Sequence, residues 1–189
     1  MGEPIKPEVQ VFNNLKNASH ALGENIVKTA SDEIEKKGRF VLALGGGKTP
    51  RFLYNLLASR YSSKIRWEAV HLFWGDERCV PRDHPESNFA MAYHALISRV
   101  PLPLPNIHRI PADAKTPERA AESYEKILRE FFKDSEGEGF QTFDVILLGM
   151  GKDGHTASLF PRSSALGKKS VGLSRWMLLL LFRCIAGLL

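Results

Sequence analysis

Asp153 and His155 stand two residues apart in a turn that also holds Gly149, Gly151 and Gly154. An imidazole can take a proton from water near neutral pH and return it to a leaving oxygen. A carboxylate beside it can hold the ring or the water. A second stretch, Gly45-Gly46-Gly47-Lys48-Thr49-Pro50, carries a different chemistry. A glycine loop entering a helix exposes backbone N–H groups at the positive end of the helix dipole, and these bind phosphate. Gly46, Gly47, Lys48 and Thr49 are therefore candidate phosphate contacts. A third stretch, Gly75-Asp76-Glu77-Arg78, puts three charges directly after Phe73-Trp74. The planar fork of Arg78 suits a phosphate or carboxylate. Asp76 and Glu77 suit sugar hydroxyls, or the orientation of a histidine. Taken singly, each stretch also reads as an ordinary polar turn.

Nucleotide motifs fit poorly. Gly149, Gly151 and Gly154 satisfy G-x-G-x-x-G after an apolar run, but that fingerprint needs a long helix and an acidic residue about 20 positions on. Pro161 limits the following segment, and no acid lies beyond Asp153. Leu42 occupies the place of the first Walker A glycine, and Pro50 interrupts the alternative fingerprint in the earlier loop. A phosphate on a small substrate fits that loop better.

Alternating elements must position these loops. Leu15, Ala18, Leu22, Ile26, Ala30 and Ile34 mark one face of a helix ending near Gly38. Phe40–Leu44 reads as a strand, and Arg51–Ser59 as a helix with Thr49 at its N-cap and Pro50 at its first position. Ala69–Trp74 reads as the next strand, followed by a helix capped by Ser87 and running to Ile97. Val100–Pro105 is an extended connector, and Ile107–Ile110 a short strand. Thr116-Pro117-Glu118 starts a strong helix to about Phe132, and residues 134–139 form a polar loop. Phe143–Leu148, apolar apart from Asp144, reads as a buried strand. Thr156–Phe160 reads as a short helix. Strands alternating with helices predict an α/β fold, an open and mainly parallel sheet with helices on both faces.

The 189 residues suffice for one core, and 43% hydrophobic with 25% charged residues marks a globular chain. The net charge of +5 includes four basic and no acidic residues after Ala165. The body is nearly neutral, so nucleic acid is a poor expectation as partner. Cys79 and Cys184 form no metal-ligand spacing, and a reducing compartment is the simpler expectation.

With the three loops placed, the chain resembles the 6-phosphogluconolactonase and glucosamine-6-phosphate isomerase family. The resemblance rests on Gly45–Pro50, on Trp74–Pro81 with Ser87-Asn88, and on Leu148–Pro161. It covers roughly residues 8 to 165. Asp76-Glu77-Arg78 and Gly154-His155-Thr156-Ala157-Ser158 resemble the lactonase branch; the isomerase branch typically has Asp-Glu-Tyr and Gly-His-Ile-Ala-Phe. The resemblance implies a Rossmann-like, sugar-phosphate isomerase-like fold. It also implies hydrolysis of 6-phospho-D-glucono-1,5-lactone in the oxidative pentose phosphate pathway, in the cytoplasm, with no metal and no cofactor. His155 would be base and acid, and Asp153 its support. Backbone N–H groups around Gly151 and Gly154 would stabilise the oxyanion. Gly46, Gly47, Lys48, Thr49 and Arg78 would hold the 6-phosphate, with Asp76 and Glu77 at the substrate. Ser158 has no evident partner.

The pattern stops near residue 165. Residues 1–165 read as a lactonase-like domain, and 166–189 as a basic, apolar tail unlike the family's continuation. The fold is therefore expected to be C-terminally truncated. The run Trp176–Leu189, interrupted by Arg183, is shorter than the about 20 apolar residues a membrane span needs. The alternative functions are an impaired relative acting only through interactions, and a sugar-phosphate isomerase or deaminase.

Overall fold

The computed structural model describes residues 8–133, 143–163 and Leu166. The loop expected at 134–139 and nearly all of the 166–189 tail lie outside them.

Helix α1, Leu15–Lys37, is capped at both ends. The Asn14 side chain accepts a bond from the Asn17 amide at 2.9 Å. At the other end the Gly38 N–H donates to the Ile34 carbonyl. Ile26, Ala30 and Ile34 form its buried stripe. Strand β1, Phe40–Leu44, is buried along its whole length, as a strand covered on both faces must be. Helix α2 follows at Lys48–Arg60, strand β2 at Val70–Trp74, helix α3 at Asn88–Ala95 and strand β3 at Ile107–His108. Helix α4, Pro117–Phe132, precedes strand β4, Val145–Ile146. Ser87 caps α3 through Ala90, and Thr116 caps α4 through Arg119, as the sequence predicts.

All pairings are parallel, in the order β3-β2-β1-β4. From β1 the chain winds outward through β2 to β3, then returns to the far side of β1. The strand order therefore reverses between β1 and β4, the place where open α/β sheets bind ligands. Phe73 and Trp74, adjacent on β2, point to opposite faces. Phe73 meets Phe131, Phe132 and Tyr124 of α4, whereas Trp74 meets Phe89 of α3. Helices thus cover both faces. Among the described residues, no helix is long and apolar enough to cross a membrane.

Strand β4 departs from expectation. Only Val145 and Ile146 of the run Phe143–Leu148 are strand, flanked by the Asp144 and Leu147 amides that donate to the Val41 and Ala43 carbonyls, and Ile146 is 41% exposed at the edge of the described sheet. The acid in that apolar run has a structural use. Asp144 Oδ2 accepts the Val41 amide at 2.7 Å, and Oδ1 pairs with Lys37 Nζ. One carboxylate therefore ties the start of β4 to β1 and to the last turn of α1. The Thr156–Phe160 segment is not helical either. It forms a tight turn closed by a bridge between Thr156 and Leu159, with Ala157 at φ 48°.

Candidate active site

The loops after β1, β2 and β4 meet over the switch point and enclose a cleft of about 490 Å³. Gly46, Lys48, Asp76, Arg78 and His155 all line it.

In the first loop, Gly47 (φ 104°) is the N-cap of α2, and the helix begins at Lys48. The expected start at Thr49 and Pro50 is thus corrected. Gly47 has no side chain to occupy the first amides, and no side-chain cap bond is made. The open N-terminus faces the cleft, with Lys48 beside it. Gly46 lies against Asn88: a Cβ there would come within 2.0 Å of Asn88 Oδ1. Buried Tyr54 fixes the loop's root, since its hydroxyl donates to the Gly45 carbonyl at 2.8 Å and accepts the Gly45 amide at 3.0 Å. Burial pushes its ionisation upward, so it stays a neutral donor and acceptor.

Tyr124 treats the end of β2 the same way. Its hydroxyl accepts the Trp74 amide at 3.0 Å and donates to the Trp74 carbonyl at 3.2 Å. Beyond that clip, the three charged residues separate into three roles. Glu77 is buried and does not line the cleft. Its carboxylate accepts the amides of Arg78 (2.8 Å), Asn88 (2.7 Å) and Phe89 (2.8 Å) and the Ser87 hydroxyl (3.1 Å). A carboxylate has about four lone-pair sites, so none remains for a substrate. The expectation of Glu77 at the substrate is corrected: it anchors the start of α3, where negative charge is favoured. Asp76 does line the cleft. Its Oδ2 accepts the Ser158 hydroxyl at 3.0 Å, and Oδ1 has only a long contact, 3.4 Å, to Asn88 Nδ2. Burial raises the Asp76 carboxyl's pKa; the Ser158 bond and the charges of Arg78 and His155 oppose that shift. Arg78 Nη1 reaches the Glu86 carbonyl at 3.3 Å. Its Nε is buried without a hydrogen-bond partner, an unmet donor in a site suited to an anion.

In the third loop, His155 Nδ1 is 2.5 Å from Asp153 Oδ1. The bond to His155 holds the Asp153 carboxyl below the usual carboxylate range. An ionised carboxylate only accepts, so Nδ1 donates and Nε2 carries the lone pair. Phe160 stacks on the imidazole at 4.6 Å and fixes its plane. Gly151 leaves room for the imidazole, because a Cβ there would come within 2.2 Å of His155 Cε1 and the ring would have to shift. The amides of Gly151 and Gly154 are not aimed at a reacting carbonyl. They donate within the turn, to the His155 and Gly151 carbonyls at 2.8 and 3.0 Å. Their expected oxyanion role gives way to a shaping one.

The structure thus brings together His155, Asp153, Asp76, Arg78 and the 45–49 loop, and withdraws Glu77. Four residues around the site were not foreseen: Tyr54, Tyr124, Asn88 as a bridge, and Ser158 as a partner of Asp76. An Asn directly after an N-capping serine was visible in the sequence. The tyrosine clips and the Ser158 contact carry no local signal. Among the described residues, no three His, Cys, Asp or Glu side chains cluster as metal ligands.

Comparison with known proteins gives a consistent picture. The family model for glucosamine-6-phosphate isomerases/6-phosphogluconolactonase matches residues 13–177. The 6-phosphogluconolactonase of a Nostoc species is 49% identical over 163 residues, 86% of this chain and 66% of that protein. That of a Synechocystis species is 43% identical over 162 residues, with the same shares. The chain thus spans just under two thirds of the length of these relatives. Among solved structures, 6-phosphogluconolactonase from Thermotoga maritima superposes with a TM-score of 0.66 at 34% identity, covering 76% of this chain and 60% of that one. The enzyme from Trypanosoma cruzi gives 0.71 at 30% identity, covering 85% and 65%. By the extent of the family match and by these identities, the chain belongs to the glucosamine-6-phosphate isomerase/6-phosphogluconolactonase family.

Proposed function

We propose that the chain hydrolyses 6-phospho-D-glucono-1,5-lactone to 6-phosphogluconate, the lactonase step of the oxidative pentose phosphate pathway. One observation carries this reading: an imidazole with its Nδ1 committed to Asp153 shares a cleft with an uncapped helix N-terminus, Lys48 and Arg78. A phosphate on Gly46, Gly47, Lys48, Thr49 and Arg78 would fix one end of the substrate, and so the position of the reacting carbon at the other. His155 Nε2 takes a proton from water, and the oxygen of that water attacks the lactone carbonyl. The tetrahedral intermediate collapses, the ring C–O bond breaks, and the imidazolium returns its proton to the departing ring oxygen. Asp153 stabilises the imidazolium between these steps. The less occupied Oδ1 of Asp76 is the contact for a sugar hydroxyl. Names of the relatives support the lactone over other sugar phosphates.

The compartment proposed is the cytoplasm. A relative from Arabidopsis thaliana is named chloroplastic, so fractionation of the native protein decides between the two. For the reaction, lactone hydrolysis by the purified chain is measured against the spontaneous rate. Hydrolysis above background that disappears in His155→Ala is expected. A folded chain no faster than background would end this reading, and full activity in His155→Ala would remove the base.

A further inference from the structure

Three loops build the cleft, and the third leaves the sheet after Leu147, whose amide donates to the Ala43 carbonyl at 2.9 Å, eight residues before His155. Strand β4 has two residues, and its following turn carries His155 at the edge of the described sheet. Something must fix that turn against the loop after β2. Ser158 lies three residues beyond His155, inside the turn closed by Thr156 and Leu159. It is 3% exposed, and its hydroxyl donates to Asp76 Oδ2 at 3.0 Å. Asp76 is held from the other side as well: Asn88 Nδ2 donates to its carbonyl at 3.0 Å, while Asn88 Oδ1 packs on Gly46. The Ser158–Asp76–Asn88–Gly46 chain therefore crosses all three loops.

We propose that Ser158 is a positioning residue, whose buried hydroxyl fastens the His155 turn to Asp76 and so sets where His155 stands over the cleft. This rests on the hydrolytic reading for its effect on rate, but the fastening itself does not. The geometry excludes Ser158 as a nucleophile. It is buried, its hydroxyl proton goes to a carboxylate rather than to His155, and the imidazole Nδ1 is taken by Asp153. The bond also bears on the ionisation of Asp76. The groups facing that carboxyl are Ser158, Arg78 and His155, which favour its charged form, the Asn88 amide at 3.4 Å, and the neutral Tyr54 hydroxyl behind the first loop. Removing the Ser158 donor leaves burial less opposed.

Ser158→Ala, Ser158→Thr and the parent chain are compared by two measurements. The first, made without ligand, is the carboxyl carbon NMR titration of Asp76 together with the imidazole shifts of His155. In Ser158→Ala the Asp76 midpoint rises and the His155 shifts move; in Ser158→Thr, which keeps the hydroxyl, both stay near the parent. The second is steady-state hydrolysis of the lactone. Misplacing a catalytic group by about 1 Å can cost on the order of 100-fold. For Ser158→Ala we expect kcat to fall about 10- to 100-fold, with KM little changed because the phosphate contacts are intact. Unmoved Asp76 and His155 resonances in a folded Ser158→Ala variant would overturn the proposal. So would moved resonances with an unchanged kcat. If the parent chain itself fails to hydrolyse the lactone, the hydrolytic reading falls, and the resonances alone decide whether Ser158 fastens the turn.

Discussion

Glu77→Ala is expected to be among the most damaging single changes in the chain, although the residue does not line the cleft. The parent carboxylate serves four donors in a buried setting: three backbone amides and the Ser87 hydroxyl. Truncation leaves all four unmet where water has little access. An orphaned buried donor costs about 1–3 kcal/mol. Four of them would give about 4–12 kcal/mol if additive and fully buried. Relief from burying a charge, and some entry of water into the vacated space, reduce that sum to about 3–5 kcal/mol. Domains of this kind are stable by only about 5–15 kcal/mol, so the variant would stand near the limit of folding.

Glu77→Gln separates the contributions. It keeps the shape and one acceptor oxygen, which can serve two donors, but it turns an NH₂ group toward the other two and removes the charge at the start of α3. A loss of about 2 kcal/mol is expected. Urea unfolding followed by tryptophan fluorescence is the assay, because Trp74 lies three residues from Glu77 and packs on Phe89 of α3. Under conditions where it remains folded, Glu77→Gln should keep KM for the lactone near the parent value. A loss below about 1 kcal/mol for Glu77→Ala would refute the reasoning about orphaned donors. A large rise in KM for folded Glu77→Gln would put the residue back at the substrate.

Two further outcomes are expected. His71 and His108 share a hydrogen bond at 3.2 Å beneath Phe131, and burial lowers both pKa values, that of His108 to about 4. The unfolded chain takes up protons first, near the ordinary value of 6.5, so stability falls as pH drops from about 6.5 to about 4; halved for the ring's remaining exposure, the His108 part is about 1–2 kcal/mol, and thermal unfolding in His108→Gln should show a flatter pH dependence over that window. Gly151→Ala would force a Cβ into the His155 ring, so hydrolysis should fall at least tenfold while the melting temperature moves only a few degrees; retention of full activity would show that the turn yields easily.

The strands and long helices were legible because their signals are local. A run of buried β-formers gave β1 to the residue, and Ser87, Thr116 and Gly38 punctuated the helices as their chemistry dictates. That these loops would meet at one cleft was legible in part, since glycine, Lys48 and His155 announce themselves by type. Acidic residues were harder. Asp76 and Glu77 are neighbours, yet one opens on the cleft and the other is consumed by the first turn of α3, eleven residues away. Which carboxylate faces inward depends on the loop's path, and composition does not encode that path. Asp144 looked like a blemish in a strand because its partners, Val41 and Lys37, lie more than a hundred residues earlier. The 156–160 segment has helix-compatible residues, but its tertiary setting bends it into a bridged turn.

The ties that hold the three loops differ greatly in the length of chain they close. Tyr54 reaches Gly45 across 9 residues, Tyr124 reaches Trp74 across 50, and Ser158 reaches Asp76 across 82. Loop-closure entropy grows as (3/2)RT ln n, so the second tie costs about 1.5 kcal/mol more to close than the first, and the third about 2 kcal/mol more. The 45–49 loop is thus cheap to organise from its own neighbourhood. Of the three, the histidine turn's tie is the dearest to close, since it reaches back to the middle of the described chain. Partial unfolding that releases β4 would displace His155 before the 45–49 loop. On the proposed function, a chain in that state would keep its phosphate contacts while having lost the histidine that activates water.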